Sequence, residues 1–224
     1  LDIDAIFICA FNDVLADYTI EAIKKGINVF CEKPPARTVK ELEKVQTAIQ
    51  NSNVILKYGF NHRYHYSVTE SIRLINENDF GKLLTFRGIY GKAGSIDYDK
   101  NWRNYKKISG GGIIIDQGIH MLDLIRFISK QEYDIKYAMI KTLFWDIESE
   151  DNAFVVLEGN KGSVGSFHSS ATQWRHKFLL ELTFEKGYIN LDGILSGTRS
   201  YSPESLIYGL RELEDITWAM GKPQ

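Results

Sequence analysis

The first part of the chain alternates short apolar blocks with amphipathic segments. Residues 5–10 form an apolar block typical of a fully buried strand, and residues 27–31 form a second one. Between them, residues 14–25 carry apolar side chains at helical spacing, and Gly26 follows as a C-cap. A strand, a helix and a strand in this order predict a βαβ unit with parallel strands and a right-handed crossover.

The alternation continues to about residue 60. Residues 38–50 predict a second helix, capped by Thr38 with Glu41 completing a capping box, and residues 54–60 predict a third strand. Two parallel strands are not a stable sheet on their own. We therefore expect either that the rest of this sheet lies upstream of Leu1 or that another chain covers the strands.

From Lys82 onward the pattern changes to consecutive strands. Before it, residues 67–75 predict a helix, and a long loop over residues 91–109 separates the first strand of the new pattern from a helix that ends near Ser129. The predicted strands are residues 84–90, 135–145, 153–157, 163–169, 178–184 and 188–191, with hairpin turns at 160–162 and 185–187. This series predicts an antiparallel sheet, and residues 204–224 are predicted to be irregular. We place the domain boundary at Phe60–Asn61, because the βα alternation ends soon after it.

The predicted antiparallel sheet has a broad apolar surface. One face must meet helices, and the other is a candidate interface between copies of the chain, given the aromatic content of twelve Tyr and twelve Phe. Its apolar residues include Phe154, Val156, Phe167 and Leu180.

Composition narrows the functional classes. The 224 residues are 44% hydrophobic and 25% charged, which is typical of a soluble globular protein. A net charge of -2 gives no reason to expect nucleic acid or an anionic membrane as a partner. No apolar run approaches the roughly 18 residues of a membrane span, and no signal peptide is visible. Two cysteines, Cys9 and Cys31, do not make a disulfide framework, which indicates a reducing cytoplasm.

A run of three glycines precedes the first candidate for chemistry. Gly110 to Gly112 lead into an apolar stretch from which Asp116 and His120 emerge, four residues apart. On a helix that begins near Asp116 the two share a face, so Asp116 could cap the helix and orient the imidazole of His120. A histidine held by a carboxylate transfers protons near neutral pH. An N-capped amphipathic helix with a buried, hydrogen-bonded histidine explains the same residues.

The second candidate follows the second predicted strand. Glu32 and Lys33 lie just past its carboxyl end, where open α/β sheets place their ligands, and two prolines follow them. Lys33 could orient a substrate hydroxyl or act as an acid or base, and Glu32 could pair with it. A solvated ion pair in a proline turn is the alternative. Residues 61–65 follow the third strand with dense hydrogen-bond donors, which suits either a ligand site or the entry to a helix.

Five motifs in this order resemble the glucose–fructose oxidoreductase/inositol dehydrogenase/MocA (Gfo/Idh/MocA) family. They are Cys9-Ala10-Phe11-Asn12, Cys31-Glu32-Lys33-Pro34, Gly59-Phe60-Asn61-His62-Arg63-Tyr64, Trp102-Arg103 and Gly110-Gly111-Gly112…Asp116…His120…Asp123. The resemblance implies an α/β fold: the C-terminal part of a Rossmann-type parallel sheet (residues 1–60) followed by an α+β domain with an open, largely antiparallel sheet (residues 61–224). It also implies substrate binding and oligomerisation by the second domain.

The same resemblance implies an enzyme. It would transfer a hydride between NAD or NADP, bound at the cleft between the domains, and a hydroxyl of a sugar, cyclitol or nucleotide-sugar. The implied residues are a catalytic set of Lys33, Asp116 and His120, a cofactor set of Ala10, Phe11, Asn12, Glu32, Lys33, Trp102 and Arg103, and a substrate set of Asn61, Arg63 and Tyr64. Either Lys33 or His120 could be the base. A homodimer or homotetramer through the antiparallel sheet is expected.

Two departures from the family pattern qualify these expectations. Ala10-Phe11 replaces the usual threonine-proline, so contact with a cofactor there would be through the backbone. The fingerprint G-x-G-x-x-G is absent from the sequence, since Gly159, Gly162 and Gly165 have the wrong spacing. We therefore expect that the chain is truncated at its N-terminus and that these 224 residues alone bind the cofactor weakly or not at all.

Two other functional classes remain. A non-catalytic scaffold or sensor could keep the fold without the nucleotide site, although such a protein has no need of Lys33, Asp116 and His120 together. A metal-dependent hydrolase could use the five histidines. His62 and His65 are three residues apart, but no H-E-x-x-H motif or comparable cluster of ligands exists, so no metal is expected.

Overall fold

A three-stranded parallel sheet begins the computed structural model, which describes residues 3–197 and 199–211. The strand order is β1-β2-β3, and a helix follows each of the first two strands. The elements are β1 (Ala5–Ile8), α1 (Asn12–Lys24), β2 (Asn28–Cys31), α2 (Val39–Gln50) and β3 (Leu56–Tyr58). The predicted parallel βαβ unit is therefore confirmed.

The first strand is less buried than its apolar sequence predicts. Ile8 is buried among α1, α2 and β2, but Phe7 is 74% exposed. Successive side chains of a strand point to opposite faces. Since α1 and α2 pack on one face of this sheet, Phe7 and its neighbour Phe30, whose ring centroids lie 5.2 Å apart, occupy the other face. The prediction of a fully buried strand was wrong for this reason.

A seven-stranded sheet forms the second part, after a short 3₁₀ helix (Asn61–Tyr64) and α3 (Tyr66–Glu77). Its strands are β4 (Leu83–Gly91), β5 (Tyr133–Lys141), β6 (Asn152–Gly159), β7 (Val164–Ser170), β8 (Lys177–Phe184), β9 (Gly187–Asp192) and β10 (Ser205–Leu210). The order across the sheet is β10-β9-β8-β4-β7-β6-β5. The fold is thus a small parallel sheet followed by a largely antiparallel one, as predicted.

Strand β4 interrupts the expected series of neighbours. It lies between β7 and β8, and it pairs in parallel with β7 and antiparallel with β8. The expectation that all consecutive strands are antiparallel neighbours was therefore wrong for β7 and β8. Hairpin signals report only local pairing, whereas the position of β4 is set by contacts with strands more than 70 residues further along the chain.

The end of the described chain also differs from the prediction. Ser205–Leu210 were expected to be irregular, but they form β10 at the edge of the sheet, paired with β9. A lone edge strand receives packing from one side only, so its apolar alternation is weak in the sequence. Residues 212–224, the rest of the stretch predicted to be irregular, lie outside the described residues.

One face of the larger sheet packs against helix α5 (Ile119–Ser129). Met121 and Leu124 of this helix are fully buried, and so is Leu180 of the sheet. A Cβ atom at Gly88 of β4 would lie 2.8 Å from the sulfur of Met121, so glycine allows this close approach. Of the apolar residues predicted on the sheet, Phe167 and Leu180 belong to this core. Phe154 and Val156 lie on the opposite face.

The long segment between β4 and α5 contains only short helices. They are two 3₁₀ turns (Tyr98–Lys100 and Trp102–Asn104), the four-residue helix α4 (Lys106–Ser109) and a π-helical turn (Ile114–Gly118) that leads into α5. Among all the helices in the described part of the chain, none combines the length and apolar character needed to cross a bilayer.

We expect truncation of Leu124 to alanine to lower the free energy of unfolding by about 2–5 kcal/mol, because it leaves a cavity between α5 and the sheet. The measurement is urea denaturation of the protein produced from its complete reading frame. Ile96→Ala is the control, since Ile96 is 94% exposed, and we expect a change within about 0.5 kcal/mol. Equal effects of the two substitutions would contradict the assignment of α5 to the core.

Candidate active site

A cavity of about 210 Å³ lies at the carboxyl ends of β1 and β2, facing the glycine run. The residues that line it are Cys9, Ala10, Asn12, Glu32, Lys33, Pro34, Trp102, Arg103, Ser109, Gly111, Gly112, Ile115 and Asp116. All the residues of the predicted cofactor set except Phe11 are among them. Phe11 instead packs edge-on against Trp102, with ring centroids 5.0 Å apart. The structure therefore gathers four of the five motifs around one space.

The glycine run packs closely against the backbone of Glu150 where it enters the cavity. A Cβ atom at Gly112 would lie 2.1 Å from the carbonyl oxygen of Glu150. The amide of Gly112 donates to the Glu150 side chain at 2.9 Å, and the next amide, that of Ile113, donates to the Glu150 carbonyl at 3.0 Å. Gly110 has a φ of +85°, which glycine adopts without strain. These contacts fix the start of the segment that carries Asp116.

Asp116 is surrounded by three cations. The ammonium of Lys33 donates to the Asp116 backbone carbonyl at 2.6 Å and lies 3.4 Å from Oδ1. The ammonium of Lys92 donates to Oδ2 at 2.5 Å, and Nε of Arg103 lies 3.3 Å from Oδ1. Burial alone would raise the pKa of Asp116, but Lys92, Lys33 and Arg103 outweigh it and hold the pKa far below its usual range. Asp116 is therefore a carboxylate.

This arrangement overturns the predicted pairing of Asp116 with His120. Asp116 lies inside the π-helical turn rather than at the cap of an α-helix, since α5 begins at Ile119. Because Asp116 lies inside this turn, it cannot act as the N-cap of α5, and both of its carboxylate oxygens already have cationic partners. Within the described residues, the carboxylate bonds to cations and the buried Nδ1 of His120 has no hydrogen-bond partner.

His120 lies instead against other rings. Its imidazole stacks on that of His62, with centroids 3.9 Å apart and planes 19° apart, and it meets the edge of Phe60. His120 is 5% exposed. Burial, with a contribution from the charge of Lys33, lowers the pKa of His120 to about 3, although Asp116 opposes the shift. His120 is therefore neutral at pH 7.

The predicted substrate set lies away from the cavity. Asn61 holds His62, since its side-chain oxygen is 2.9 Å from Nδ1 of His62. Arg63 forms a bidentate pair with Asp123 through two nitrogens, one at 2.7 Å, and its guanidinium covers the ring of Phe127. Tyr64 is 63% exposed. None of the three lines the cavity, and their role in substrate binding stays a prediction.

Sequence reasoning missed Lys92, Tyr90 and Tyr201. Lys92 directly follows β4, and Lys33 follows shortly after β2. A cation just past the end of a strand was therefore the pattern from which Lys92 could have been predicted. Tyr90 donates toward His62, and Tyr201 lies 5.9 Å from the ring of Tyr90. Neither tyrosine stands out in the sequence, because their importance depends on strand positions. Across residues 3–197 and 199–211, no three His, Cys, Asp or Glu side chains are grouped to hold a metal ion.

Comparison with known proteins decides the family. The profile of the GFO/IDH/MocA C-terminal domain matches residues 69–190, and that of the oxidoreductase family with an NAD-binding Rossmann fold matches residues 1–60. The chain belongs to the Gfo/Idh/MocA family. The resemblance carried by the five motifs is thus confirmed.

Relatives within the family act on sugars and cyclitols, according to their names. Levoglucosan dehydrogenase of Pseudarthrobacter phenanthrenivorans is 33% identical over 129 residues, which are 57% of this chain and 33% of that protein. Myo-inositol 2-dehydrogenase of Thermotoga maritima is 25% identical over 217 residues, 95% of this chain and 63% of that protein. The chain therefore spans between a third and two thirds of the length of these Gfo/Idh/MocA relatives.

A solved structure shows the same fold. Levoglucosan dehydrogenase in complex with NADH and levoglucosan superposes with a TM-score of 0.84 at 24% identity, covering 98% of this chain and 60% of that one. At this level of identity the comparison establishes that the two chains share the Gfo/Idh/MocA fold, from the parallel strands through the larger sheet.

We expect the stability of the protein to fall as the pH drops below about 6.5. The folded state keeps His120 neutral to a pH of about 3, whereas the same histidine in the unfolded chain binds a proton near 6.5, so acid favours unfolding. This one residue contributes a loss of about 2 kcal/mol between pH 7 and pH 5.

The measurement is the free energy of unfolding at both pH values for wild type and His120→Asn. The variant lacks the titrating group, so its loss between pH 7 and pH 5 should be smaller than that of the wild type by this amount. Equal losses would show that His120 titrates normally in the folded protein.

Proposed function

We propose that the protein is an NAD- or NADP-dependent oxidoreductase. It would transfer a hydride between the nicotinamide and a CH–OH group of a sugar, cyclitol or nucleotide-sugar. The observation that carries this proposal is the convergence of Lys33 and Asp116 on one cavity, with the Lys33 ammonium bonded to the Asp116 carbonyl. His120, one turn after Asp116 along the chain, does not itself line this cavity. The names of the relatives support the substrate class.

The residues around the cavity fit the nicotinamide end of a dinucleotide. An indole (Trp102), a carboxylate (Glu32) and the glycine backbone line a small space at the carboxyl ends of parallel strands. These residues would hold the ring and its ribose, and when bound the cofactor supplies the hydride acceptor. The 224 residues contain no G-x-G-x-x-G fingerprint, so this site is proposed for the nicotinamide end only.

In this proposal the protein's own groups handle the substrate oxygen and its proton. Lys33 donates a hydrogen bond to the substrate oxygen and stabilises the negative charge that develops there. We assign the hydroxyl proton to His120, because Lys33 already donates to the Asp116 carbonyl. Asp116 keeps Lys33 in position and balances its charge. A scaffold without catalysis would not need this cluster.

We also propose a domain division at Phe60–Asn61 and a cytoplasmic location. The described elements of residues 3–60 form the parallel sheet, and those after residue 61 build the larger sheet and its helices. Both cysteines are free thiols, which a reducing compartment favours.

We further propose that the open face of the larger sheet binds a second copy of the chain, giving a homodimer or homotetramer. Phe154 on this face is 45% exposed. The exposed apolar side chains on the face come from the three neighbouring strands β5, β6 and β7: Tyr137, Met139, Phe154, Val156 and Val164. A contiguous apolar surface of this kind is typical of a protein interface.

For the catalytic proposal, we expect His120→Asn to lower the turnover of levoglucosan or myo-inositol by roughly 100-fold or more, since the variant removes the proton acceptor. Turnover is measured as NADH formation by the protein produced from its complete reading frame. Quenching of tryptophan fluorescence by NADH, reported by Trp102 in the cavity, should be retained and serves as the control. Turnover near the wild-type rate would exclude the role given to His120.

For the oligomer, we expect Phe154→Lys to shift the protein toward monomer, because it places a charge in the apolar interface. Analytical ultracentrifugation measures the change. Ile55→Lys is the control, since Ile55 is also apolar and is 71% exposed, but lies next to the parallel sheet. A wild-type protein that is monomeric, or one whose association both substitutions weaken alike, would contradict the proposed interface.

A further inference from the structure

The orientation of His120 needs an explanation that the cation cluster does not supply. A catalytic histidine is usually held by a hydrogen bond from its second ring nitrogen. Within the described residues, Nδ1 of His120 is buried without a partner, and the nearby carboxylate of Asp116 is taken by Lys92, Lys33 and Arg103. The ring must therefore be held through its faces and edges.

His62 provides the face against which the ring of His120 packs. The two rings are nearly parallel at 3.9 Å, and Phe60 closes the side of His120 edge-on at 6.1 Å. The ring of His120 cannot rotate without displacing either His62 or Phe60. Packing therefore restricts the plane of the His120 imidazole as a hydrogen bond would.

His62 is itself fixed at both nitrogens. Its Nδ1 lies 2.9 Å from the side-chain oxygen of Asn61, and its Nε2 lies 2.9 Å from the hydroxyl of Tyr90. Since the oxygen of Asn61 only accepts, Nδ1 of His62 donates and Nε2 accepts from Tyr90. The ring is thus a neutral imidazole in one tautomer.

We propose that His62 is a positioning residue for His120, which fixes the plane of the His120 ring by stacking and keeps water and a second charge away from it. This proposal rests on the proposed function for its catalytic consequence, but not for its structural content. Both ring nitrogens of His62 are taken by Asn61 and Tyr90, and its face stacks on His120, so its effect on the reaction passes through His120.

The groups around His120 agree with a neutral pair. The titratable groups that face it are Lys33 after β2, Asp116 in the π-turn, Tyr90 of β4, His62 of the 3₁₀ helix and His65, which follows that helix. Burial lowers the pKa of His62 to about 2, with further contributions from His120, His65 and Lys33. Asp116 alone favours a charged His120. Removal of His62 would admit water beside His120 and ease its protonation.

The contacts of His62 also lead back to the catalytic segment. Tyr90, which bonds His62, lies 5.9 Å from the ring of Tyr201. The hydroxyl of Tyr201 accepts a hydrogen bond from the Gln117 side chain at 3.3 Å, and Gln117 belongs to the π-turn that precedes His120. His62 therefore contacts His120 directly by stacking and indirectly through Tyr90, Tyr201 and Gln117. Substitution of His62 changes both sets of contacts.

The test combines three substitutions in the protein produced from its complete reading frame. His62→Ala removes the stack, and we expect kcat to fall by roughly 10- to 100-fold with a smaller change in KM, because the ring loses its orientation. In the same variant the pKa of His120, measured by NMR with labelled histidine, should rise toward 6.5.

His62→Phe keeps a stacked ring and should keep the pKa of His120 low with a smaller loss of kcat. Tyr90→Phe removes one hydrogen bond and should resemble His62→Phe.

His168→Phe is the matched control for the NMR measurement. His168 stacks on Phe154 with the same centroid distance of 3.9 Å, in the larger sheet and outside this cluster, so its substitution should leave the titration of His120 unchanged. An unchanged kcat, pH profile and His120 titration in His62→Ala would overturn the proposal. If that variant does not fold, His62→Leu, which fills the space without a ring to stack, takes its place, and an unchanged kcat and His120 titration in it overturn the proposal. A wild-type protein without dehydrogenase activity would refute the proposed function, while the NMR titration would still decide whether His62 keeps His120 neutral.

Discussion

The ionised carboxylate of Asp116 is the charge on which the site depends. A buried carboxylate costs several kcal/mol unless it is paired. The three cations that pair with it come from separate segments. Lys33 follows β2, the middle strand of the parallel sheet, Lys92 follows the central strand of the larger sheet, and Arg103 lies in the segment between that strand and α5. Asp116 thus joins both sheets and the intervening segment in one electrostatic cluster, which forms only when all of them are in place.

This cluster divides the site into a charged half and a neutral half. On the charged side, Lys33 is anchored by the carbonyl of Asp116. On the neutral side, His120 is buried against His62 and Phe60. The two halves lie only four residues apart in the chain, on the π-turn and the first turn of α5.

The placement of chemistry at strand ends was predictable from the sequence, and its pairing was not. Residues that follow buried strands collect at one edge of a sheet, so the cavity could be expected to contain Glu32 and Lys33. The spacing of Asp116 and His120 suggested a hydrogen-bonded pair, but the carboxylate pairs with three cations from distant segments instead. Lys92 lies in the site because β4, which precedes it, is placed between β7 and β8. No local pattern in the sequence indicates that strand order.

The sequence by itself determined the order of helices and strands, the family, and most residues that line the cavity, because hydrophobic periodicity and short motifs are local properties. Only the tertiary structure decided which partners those residues have. Whether Asp116 bonds His120 or three cations, and whether His62 is a ligand or a support for another ring, depends on segments that are distant in the chain and on the winding of a single turn. Such choices follow from packing and charge compensation over the whole fold, which no short stretch of sequence contains.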